Sequence, residues 1–146
     1  MPARIRRSSE HGDDDGFTLI ELLVVIIVIG ILAAIAIPVY LNQRNKAYDS
    51  AARADTKALA LQEEAWLTAH DAYTDTVAAG TLTEFRQTAG VRSRAKAKGA
   101  QGFCIVSLSR SGHYFWYDSE GGGLHGPSAT APTGGICDTD KPDLPV

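Results

Sequence analysis

One carboxylate lies inside a long apolar stretch, and it is the residue whose position most needs a chemical explanation. Glu21 stands near the start of the segment from Phe17 to Leu41, where almost every other side chain is apolar. An ionised carboxylate at the centre of a bilayer costs about 2.5 kcal/mol or more. A positive charge brought close to Glu21 would offset that cost. The sequence therefore predicts a cationic partner for Glu21.

The apolar segment is long enough to cross a membrane. As a helix, residues 17–41 would rise roughly 37 Å at 1.5 Å per residue. A secretory signal peptide is one alternative. Its basic region would be Arg4, Arg6 and Arg7, and residues 34–36 form a formal cleavage site. However, the segment is longer than a signal peptide's usual apolar region and contains a carboxylate. A plain membrane anchor explains the length but not Glu21, and a buried core helix needs a larger soluble body.

The residues at the start of this segment carry a specific resemblance. Gly16 is followed by Phe17-Thr18-Leu19-Ile20-Glu21-Leu22, a long apolar run and Pro38. This pattern resembles the N-terminus of type IV pilins and of the pseudopilins of type II secretion. The close match covers about residues 16–40, and the rest of the chain resembles the family in outline.

The resemblance implies a processing and assembly site. A membrane peptidase would cleave between Gly16 and Phe17 and methylate the new amine of Phe17. Glu21 would then meet the N-terminal ammonium of a neighbouring subunit in a fibre. Gly30 and Pro38 are the weak points of the helix, since proline removes a helical hydrogen bond and clashes with the preceding turn. We expect a kink there, and the family also implies local melting between them in assembled filaments.

The residues after the apolar segment predict a second, amphipathic part of the helix, from Asn42 to about His70. One stripe at steps of four and three should face a sheet: Tyr48, Ala52, Asp55, Leu59, Gln62, Trp66, Ala69 and Tyr73. A stripe of small residues should widen this apolar face: Ala51, Ala54, Ala58, Leu61 and Ala65. Residues expected in solvent or against other subunits lie opposite: Arg53, Lys57, Glu63 and Glu64.

Two runs in the last third of the chain predict a β-hairpin. Residues 103–109 and 113–118 are rich in β-branched and aromatic side chains, and Arg110-Ser111-Gly112 between them suits a turn. By the period of two, Cys104, Val106 and Leu108 share the more apolar face, which we expect to meet the helix. A short third strand is expected at 124–126.

A basic run precedes the hairpin and predicts an exposed strand edge or a solvated loop. Its charged residues alternate with small ones at Arg92, Arg94, Lys96 and Lys98. Binding of DNA is the sharper interpretation, but the run contains no aromatic residue, so nucleic acid is not an expected partner.

Two cysteines, Cys104 and Cys137, suggest one disulfide in a small exported domain. Many pilins close a C-terminal loop in this way, and closing the loop would stabilise the domain by roughly 3–4 kcal/mol. Two free buried thiols are the alternative. Calcium is a further possibility, as in major pseudopilins, at Asp138, Asp140 and Asp143. We predict that the protein binds neither a metal ion nor a cofactor.

The sequence predicts a structural protein, not an enzyme, because no nucleophile–base pair, phosphate loop or metal-spaced histidine cluster is present. The expected fold is α+β, with a long N-terminal helix packed on a small antiparallel sheet of three or four strands. The expected parts are a cleaved leader at 1–16, a transmembrane and assembly helix at 17–41, and a head at 42–146. The length of 146 residues allows one such domain.

The family implies how such a chain would work. Its precursor would sit in the cytoplasmic membrane, in contact with lipid and with its head outside. Prepilin peptidase, an assembly platform and its ATPase would be its partners, and many copies would form a surface filament for motility or adhesion. The alternatives are a pseudopilin of type II secretion and a subunit of a DNA-uptake pilus.

Overall fold

The computed structural model describes residues 16–77, 82 and 85–138. It contains one helix, four strands and a short 3-10 helix, in the order α1 (Leu19–His70), β1 (Arg92–Ala97), β2 (Phe103–Leu108), β3 (Tyr114–Asp118), β4 (Gly123–Ser128) and the 3-10 helix (Gly135–Asp138). The long helix and the antiparallel sheet confirm the predicted α+β fold. The chain divides into two compact units, Met1–Val39 and Tyr40–Val146. We call them the N-terminal unit and the head unit.

The N-terminal unit is helical from Leu19 and presents its apolar side chains to the surroundings. Side chains such as Leu19 and Ile35 are exposed by 88% and 66%. In length and composition, α1 qualifies as a helix able to cross a membrane, and none of its most apolar stretch is buried. Its apolar surface therefore requires a cover of lipid or protein.

Gly30 and Pro38 both lie within the bounds of α1. A Cβ placed on Gly30 would meet no atom within 4 Å, so packing within the chain does not require glycine there. The kink expected at these two positions remains a prediction.

The head unit contains a four-stranded antiparallel sheet in the order β1-β2-β3-β4. The predicted hairpin is formed by β2 and β3, where Ser109 N–H donates to the His113 carbonyl at 2.9 Å across the turn. The basic run forms β1, at an edge of the sheet. The last strand, β4, is longer than the expected 124–126 segment.

The prediction of which face of β2 meets the helix was wrong. Phe103 and Ile105, not Cys104 and Val106, pack with Leu59 of α1 in the main hydrophobic cluster. Cys104 and Val106 pack with Ile136 from the 3-10 helix on the opposite face. Both faces of β2 are buried, so the more apolar face did not identify the helical side.

The buried arc of α1 shares Ala52, Asp55 and Leu59 with the predicted stripe and differs from it beyond them. Its fully or nearly fully buried residues are Ala52, Asp55, Thr56, Leu59, Ala60 and Glu63. Of the stripe of small residues, Ala51 is partly buried against Ala52 and Phe115, whereas the remaining members are exposed, with Leu61 at 66%. Glu63, predicted to be solvated, is completely buried. Trp66 does pack against the main cluster, partly buried, as the amphipathic pattern suggested.

Hydrogen bonds from the loop after α1 and from the segment before β1 lower the cost of burying the carboxylates of Asp55 and Glu63 in α1. Glu63 Oε2 accepts the Thr74 N–H at 3.0 Å. The two oxygens of Asp55 accept the N–H and the hydroxyl of Thr88, each at 2.8 Å. Because an unpaired buried acceptor costs about 1–3 kcal/mol, these bonds fix where both segments cross the helix.

Candidate assembly site

The first turn of α1 is closed by a reciprocal pair of hydrogen bonds between Thr18 and Glu21. The Thr18 N–H and hydroxyl donate to Glu21 Oε2 at 2.9 Å and 2.7 Å. The Glu21 N–H donates to the Thr18 hydroxyl oxygen at 3.3 Å. This is a capping box, which satisfies N–H groups that have no partner within the helix. The carboxylate is thereby held over the start of the helix.

This capping role of Glu21 was not among the predictions from the sequence, although the sequence contains its signal. A Thr followed three residues later by Glu, directly before an apolar helix, is the usual signature of a capping box. The bonds from Thr18 all use Oε2, and Oε1 accepts none from the residues that the structure describes. One oxygen of Glu21 therefore remains available to a further donor.

The predicted cleavage position lies just outside the helix. Gly16 and Phe17 are in irregular backbone, and Phe17 is 84% exposed. A Cβ on Gly16 would meet no atom within 4 Å. Packing within the described chain therefore does not require glycine at this position. A need for glycine here would come from a second molecule, such as a processing enzyme.

The structure brings the two predicted cysteines together as a disulfide. Cys104 of β2 and Cys137 of the 3-10 helix are bonded, with their Cα atoms 5.4 Å apart and their positions separated by 33 in sequence. Val106 and Ile136 pack beside the bond. The bridge fastens the C-terminal segment over the outer face of the sheet, the face turned away from α1.

A polar cluster that sequence reasoning did not find joins the hairpin turn to α1. Asp49 Oδ2 lies 2.8 Å from Nδ1 of His113, and the Ser111 hydroxyl donates to Asp49 Oδ1. Burial opposes ionisation of Asp49, but the hydrogen bonds from Ser111 and His113 outweigh it and lower the pKa of Asp49. Asp49 is more than 60 positions away in sequence from both Ser111 and His113, so only the fold reveals the cluster.

This cluster does not have the geometry of a Ser-His-Asp catalytic triad. A triad places the serine and the aspartate on opposite nitrogens of the imidazole. Here both Asp49 and the Ser111 hydroxyl approach Nδ1 of His113, the latter at 3.3 Å. The arrangement therefore serves to hold the turn against the helix.

Glu63 is the second polar feature that the sequence did not reveal. Burial raises its pKa to about 7, and the negative charges of Asp75 and Glu64 add to the effect, while the Thr74 N–H opposes it. Glu63 Oε1 is buried and has no hydrogen-bond partner among the described residues. Its carboxyl group is therefore protonated in a large fraction of molecules near neutral pH.

The acidic residues considered for calcium lie at the C-terminal end of the sequence. Asp140 and Asp143, together with the side chain of Asp138, lie outside the described part of the chain. Within that part, no three His, Cys, Asp or Glu side chains are grouped to hold a metal ion.

Comparison with known proteins identifies the N-terminal segment. Residues 13–37 match the family model of the prokaryotic N-terminal methylation motif. The chain is 43% identical over 60 residues to the type IV major pilin protein PilA of Myxococcus xanthus, covering 41% of this chain and 27% of the relative. It is 39% identical over 51 residues to the type II secretion system core protein G of Pseudomonas aeruginosa, covering 35% and 36% of the two chains.

A third relative is matched along most of its length. The chain is 34% identical over 103 residues to the type IV wide pilus major component PilA4 of Thermus thermophilus, covering 70% of this chain and 78% of the relative. A match of this extent includes the head as well as the methylation motif. This protein belongs to the type IV pilin family.

Proposed function

We propose that this chain is the structural subunit of a type IV pilus-like surface filament. A membrane peptidase trims it between Gly16 and Phe17 and methylates Phe17, and copies polymerise through their N-terminal helices. The observation that carries the proposal is a carboxylate, Glu21, held by a capping box at the start of an exposed apolar helix. Such a helix suits a membrane before assembly and a bundle of like helices afterwards.

The capping box supports a role of Glu21 between subunits. Cleavage after Gly16 would leave the N–H and hydroxyl of Thr18 in place, so Glu21 Oε2 would keep its partners. The other oxygen would be free to accept the ammonium of a neighbouring subunit's Phe17. Each charge would offset the desolvation of the other, and the pair would set the axial register of the fibre.

The apolar surface supplies the packing in this proposal. In the membrane, lipid covers the side chains from Leu19 to Leu41, and in the filament other copies of the helix replace the lipid. Gly30 and Pro38 would let this segment kink or locally melt as it packs. The assembly platform and its ATPase would supply the work of extraction from the membrane.

The filament of a pilus is favoured over the pseudopilus of type II secretion. The match covers 78% of the Thermus thermophilus pilus component but only 36% of the Pseudomonas aeruginosa secretion protein. The disulfide that closes the C-terminal segment points the same way. Secretion remains the second candidate because the N-terminal similarity to the secretion protein is substantial.

Replacing Glu21 by alanine tests the proposal. We expect the variant to be processed and to stay in the membrane, while its amount in filaments sheared from the cell surface falls at least tenfold. The loss of one partner of a buried charge pair typically costs about 3–5 kcal/mol, which is ample for this effect. Immunoblots of the membrane and sheared fractions give both amounts.

Two control variants make the result specific. Glu64→Ala removes an exposed carboxylate of α1 and should leave filament yield unchanged. Thr18→Val removes the cap hydroxyl, worth about 1 kcal/mol, but keeps the charge of Glu21, so it should reduce the yield much less. Normal filament yield from Glu21→Ala would rule out the proposed contact.

A further inference from the structure

Two arginines meet at the ring of one tyrosine shortly after the apolar part of α1 ends. The guanidinium carbon of Arg44, one helical turn before Tyr48, lies 5.4 Å from the centroid of the Tyr48 ring. That of Arg110, in the turn between β2 and β3, lies 5.5 Å from the same centroid. Both arginines are exposed and Tyr48 is partly exposed, so the group is open to solvent. We call these three residues the arginine–tyrosine cluster.

Contacts with the surrounding chain hold the cluster in place. Arg44 Nε–H donates a hydrogen bond to the hydroxyl oxygen of Tyr48 at 2.8 Å. The stem of Arg110 lies against Gly90, where a Cβ would come within 3.3 Å of Arg110 Cδ. Gly90 also has a φ of 87°, in the left-handed region that glycine adopts without strain. Because both guanidinium groups are positioned before a ligand arrives, binding costs less side-chain entropy.

The cluster offers hydrogen-bond donors and has no counter-ion. Apart from the bond between Arg44 and Tyr48, neither arginine makes a hydrogen bond or an ion pair with another described residue. The Tyr48 oxygen accepts from Arg44, so its own hydrogen is left to donate, and no described residue accepts it. The nearby carboxylate of Asp49 is already bonded to the hairpin turn. Two positive charges at one ring repel each other unless an anion joins them, so the cluster suits an anion.

The position of the cluster along α1 indicates the source of this anion. Arg44 follows Leu41, the last residue of the apolar segment, by three positions, a rise of about 4.5 Å. The headgroup region of a bilayer extends roughly 5–7 Å beyond the hydrocarbon on each side. Tyr40, 64% exposed near the end of the segment, is of a residue type enriched at this interface. Long side chains of a helix lean toward its N-terminus, so Tyr48 leans toward the same level.

We propose that the arginine–tyrosine cluster binds the phosphate of an anionic phospholipid, such as phosphatidylglycerol, before the chain is assembled. Arg44 and Arg110 donate to phosphate oxygens through their Nη groups, and the Tyr48 hydroxyl donates a third hydrogen bond. Arginine suits this ligand because its planar fork of donors matches the phosphate oxygens. The inference rests on the proposed function in one respect, namely that the unassembled chain lies in a membrane.

A local site, and not the overall charge of the chain, would supply the preference for an anionic lipid. The net charge is −3, so the molecule as a whole does not attract an anionic surface. A zwitterionic lipid carries the same phosphate, but its attached cation would lie beside two arginines. The cluster should therefore prefer anionic lipids to zwitterionic ones, and basic residues outside it should contribute much less.

Native mass spectrometry of the full-length chain in nonionic detergent measures this preference. Phosphatidylglycerol or phosphatidylcholine is added at equal concentration, and the dissociation constant of the first bound lipid is determined for each. A basic residue near an anionic lipid surface contributes about fivefold in affinity, so two arginines predict a preference of roughly 25-fold for phosphatidylglycerol. Arg44→Gln and Arg110→Gln should each reduce this preference about fivefold.

Lys46 provides the matched control. It is exposed on α1 two positions beyond Arg44, at nearly the same level. It lines a different cleft, together with Ser50 and Pro127, and does not contact the Tyr48 ring. Lys46→Gln therefore removes one charge at the same height on the helix and should leave the lipid preference unchanged.

Two further variants guard against a trivial loss of structure. Tyr48→Phe keeps the ring and both charges but removes the third donor, so it should weaken binding of phosphatidylglycerol roughly 2- to 10-fold. Arg44 lies exposed on the surface of α1, so Arg44→Gln tests the site even if Arg110→Gln, whose native stem packs on Gly90, does not fold. Urea unfolding of each variant establishes that its head is intact.

Four results would overturn the proposal. The first is equal affinity for the two lipids, and the second is an equal effect of Lys46→Gln and Arg44→Gln, which would indicate diffuse attraction. The third is displacement of the lipid by an equal concentration of glycerol 3-phosphate, which would assign the cluster to a soluble phosphate. The fourth is an unchanged lipid preference in both arginine variants together with a loss of sheared filaments, which would assign the pair to a neighbouring copy.

The outcome is separable from that of the filament proposal. The lipid measurement uses the unprocessed chain without peptidase or assembly machinery. Its failure would leave the filament proposal standing, and normal filament yield from Glu21→Ala would leave the lipid site standing.

Discussion

Replacing Glu63 by glutamine should stabilise the head unit at pH 8 and leave its stability nearly unchanged at pH 4. Glu63 is completely buried, and one of its oxygens has no partner among the described residues. The glutamine side chain has nearly the same shape and keeps a carbonyl that can accept the Thr74 N–H. It carries no charge at any pH, whereas the glutamate must ionise in a buried site when the pH rises.

The size of the effect follows from the pKa of Glu63. Burial raises this pKa from 4.5 to about 7 in the folded head. The folded state therefore holds a proton between these two values that the unfolded state releases, and stability falls as the pH rises through this range. A difference of about 2.5 pKa units at 1.36 kcal/mol per unit gives about 3 kcal/mol. This contribution is fully present below pH 4.5 and lost above pH 7.

Urea unfolding of the full-length chain in nonionic detergent, followed by tryptophan fluorescence, measures the effect. Both tryptophans, Trp66 and Trp116, lie in the head unit, so the signal reports on that unit. The difference in unfolding free energy between Glu63→Gln and the unaltered chain should be near zero at pH 4 and approach 3 kcal/mol at pH 8. Taking the difference at each pH removes the contributions of all other titrating groups.

The neighbouring Glu64 provides the matched control. It is exposed, and its charge is the smallest of the contributions to the raised pKa of Glu63, so Glu64→Gln relieves no burial and should change stability by less than about 1 kcal/mol at either pH. A Glu63→Gln variant that is less stable than the unaltered chain at pH 8 would refute the reasoning. So would a stability difference that does not change between pH 4 and pH 8.

Two further predictions concern the contacts that hold the head together. Replacing Cys104 and Cys137 by serine should lower the free energy of unfolding by about 4 kcal/mol, the loop-closure value for 33 residues, as measured by urea unfolding. An equal stability with and without a reducing agent would contradict it. Asp49→Asn should destabilise the head by about 1 kcal/mol at pH 6, because the hydrogen bonds from Ser111 and His113 lose an ionised acceptor. Because these contacts lower the pKa of Asp49 from its ordinary value of 3.8, the deficit should disappear as the pH falls through the lowered pKa, and a deficit independent of pH would speak against the assignment.

The sequence predicted the elements of this fold well because their signals are local. A long apolar run, a helical composition with no glycine or proline, and two β-rich runs around Arg110-Ser111-Gly112 each indicate one kind of structure. The capping box is equally local, because it requires only a threonine three residues before a glutamate at the start of an apolar helix.

The orientation of these elements was harder to predict because it depends on what covers them. β2 is apolar on both faces, and the 3-10 helix with its disulfide covers one of them, so apolarity did not select the side that meets α1. Along α1, the buried arc is displaced by about one residue position toward Thr56, Ala60 and Glu63. No composition rule predicts a buried Glu63, since its burial depends on the distant Thr74 N–H.

Filament assembly is tested most directly by the mass of the N-terminal peptide from material sheared off the cell surface. We predict a chain that begins at Phe17, carries one methyl group on its amine and is recovered in polymeric form. Recovery of filaments in which the chain still carries residues 1–16 would contradict the account. So would its complete absence from sheared material of cells whose membranes contain it.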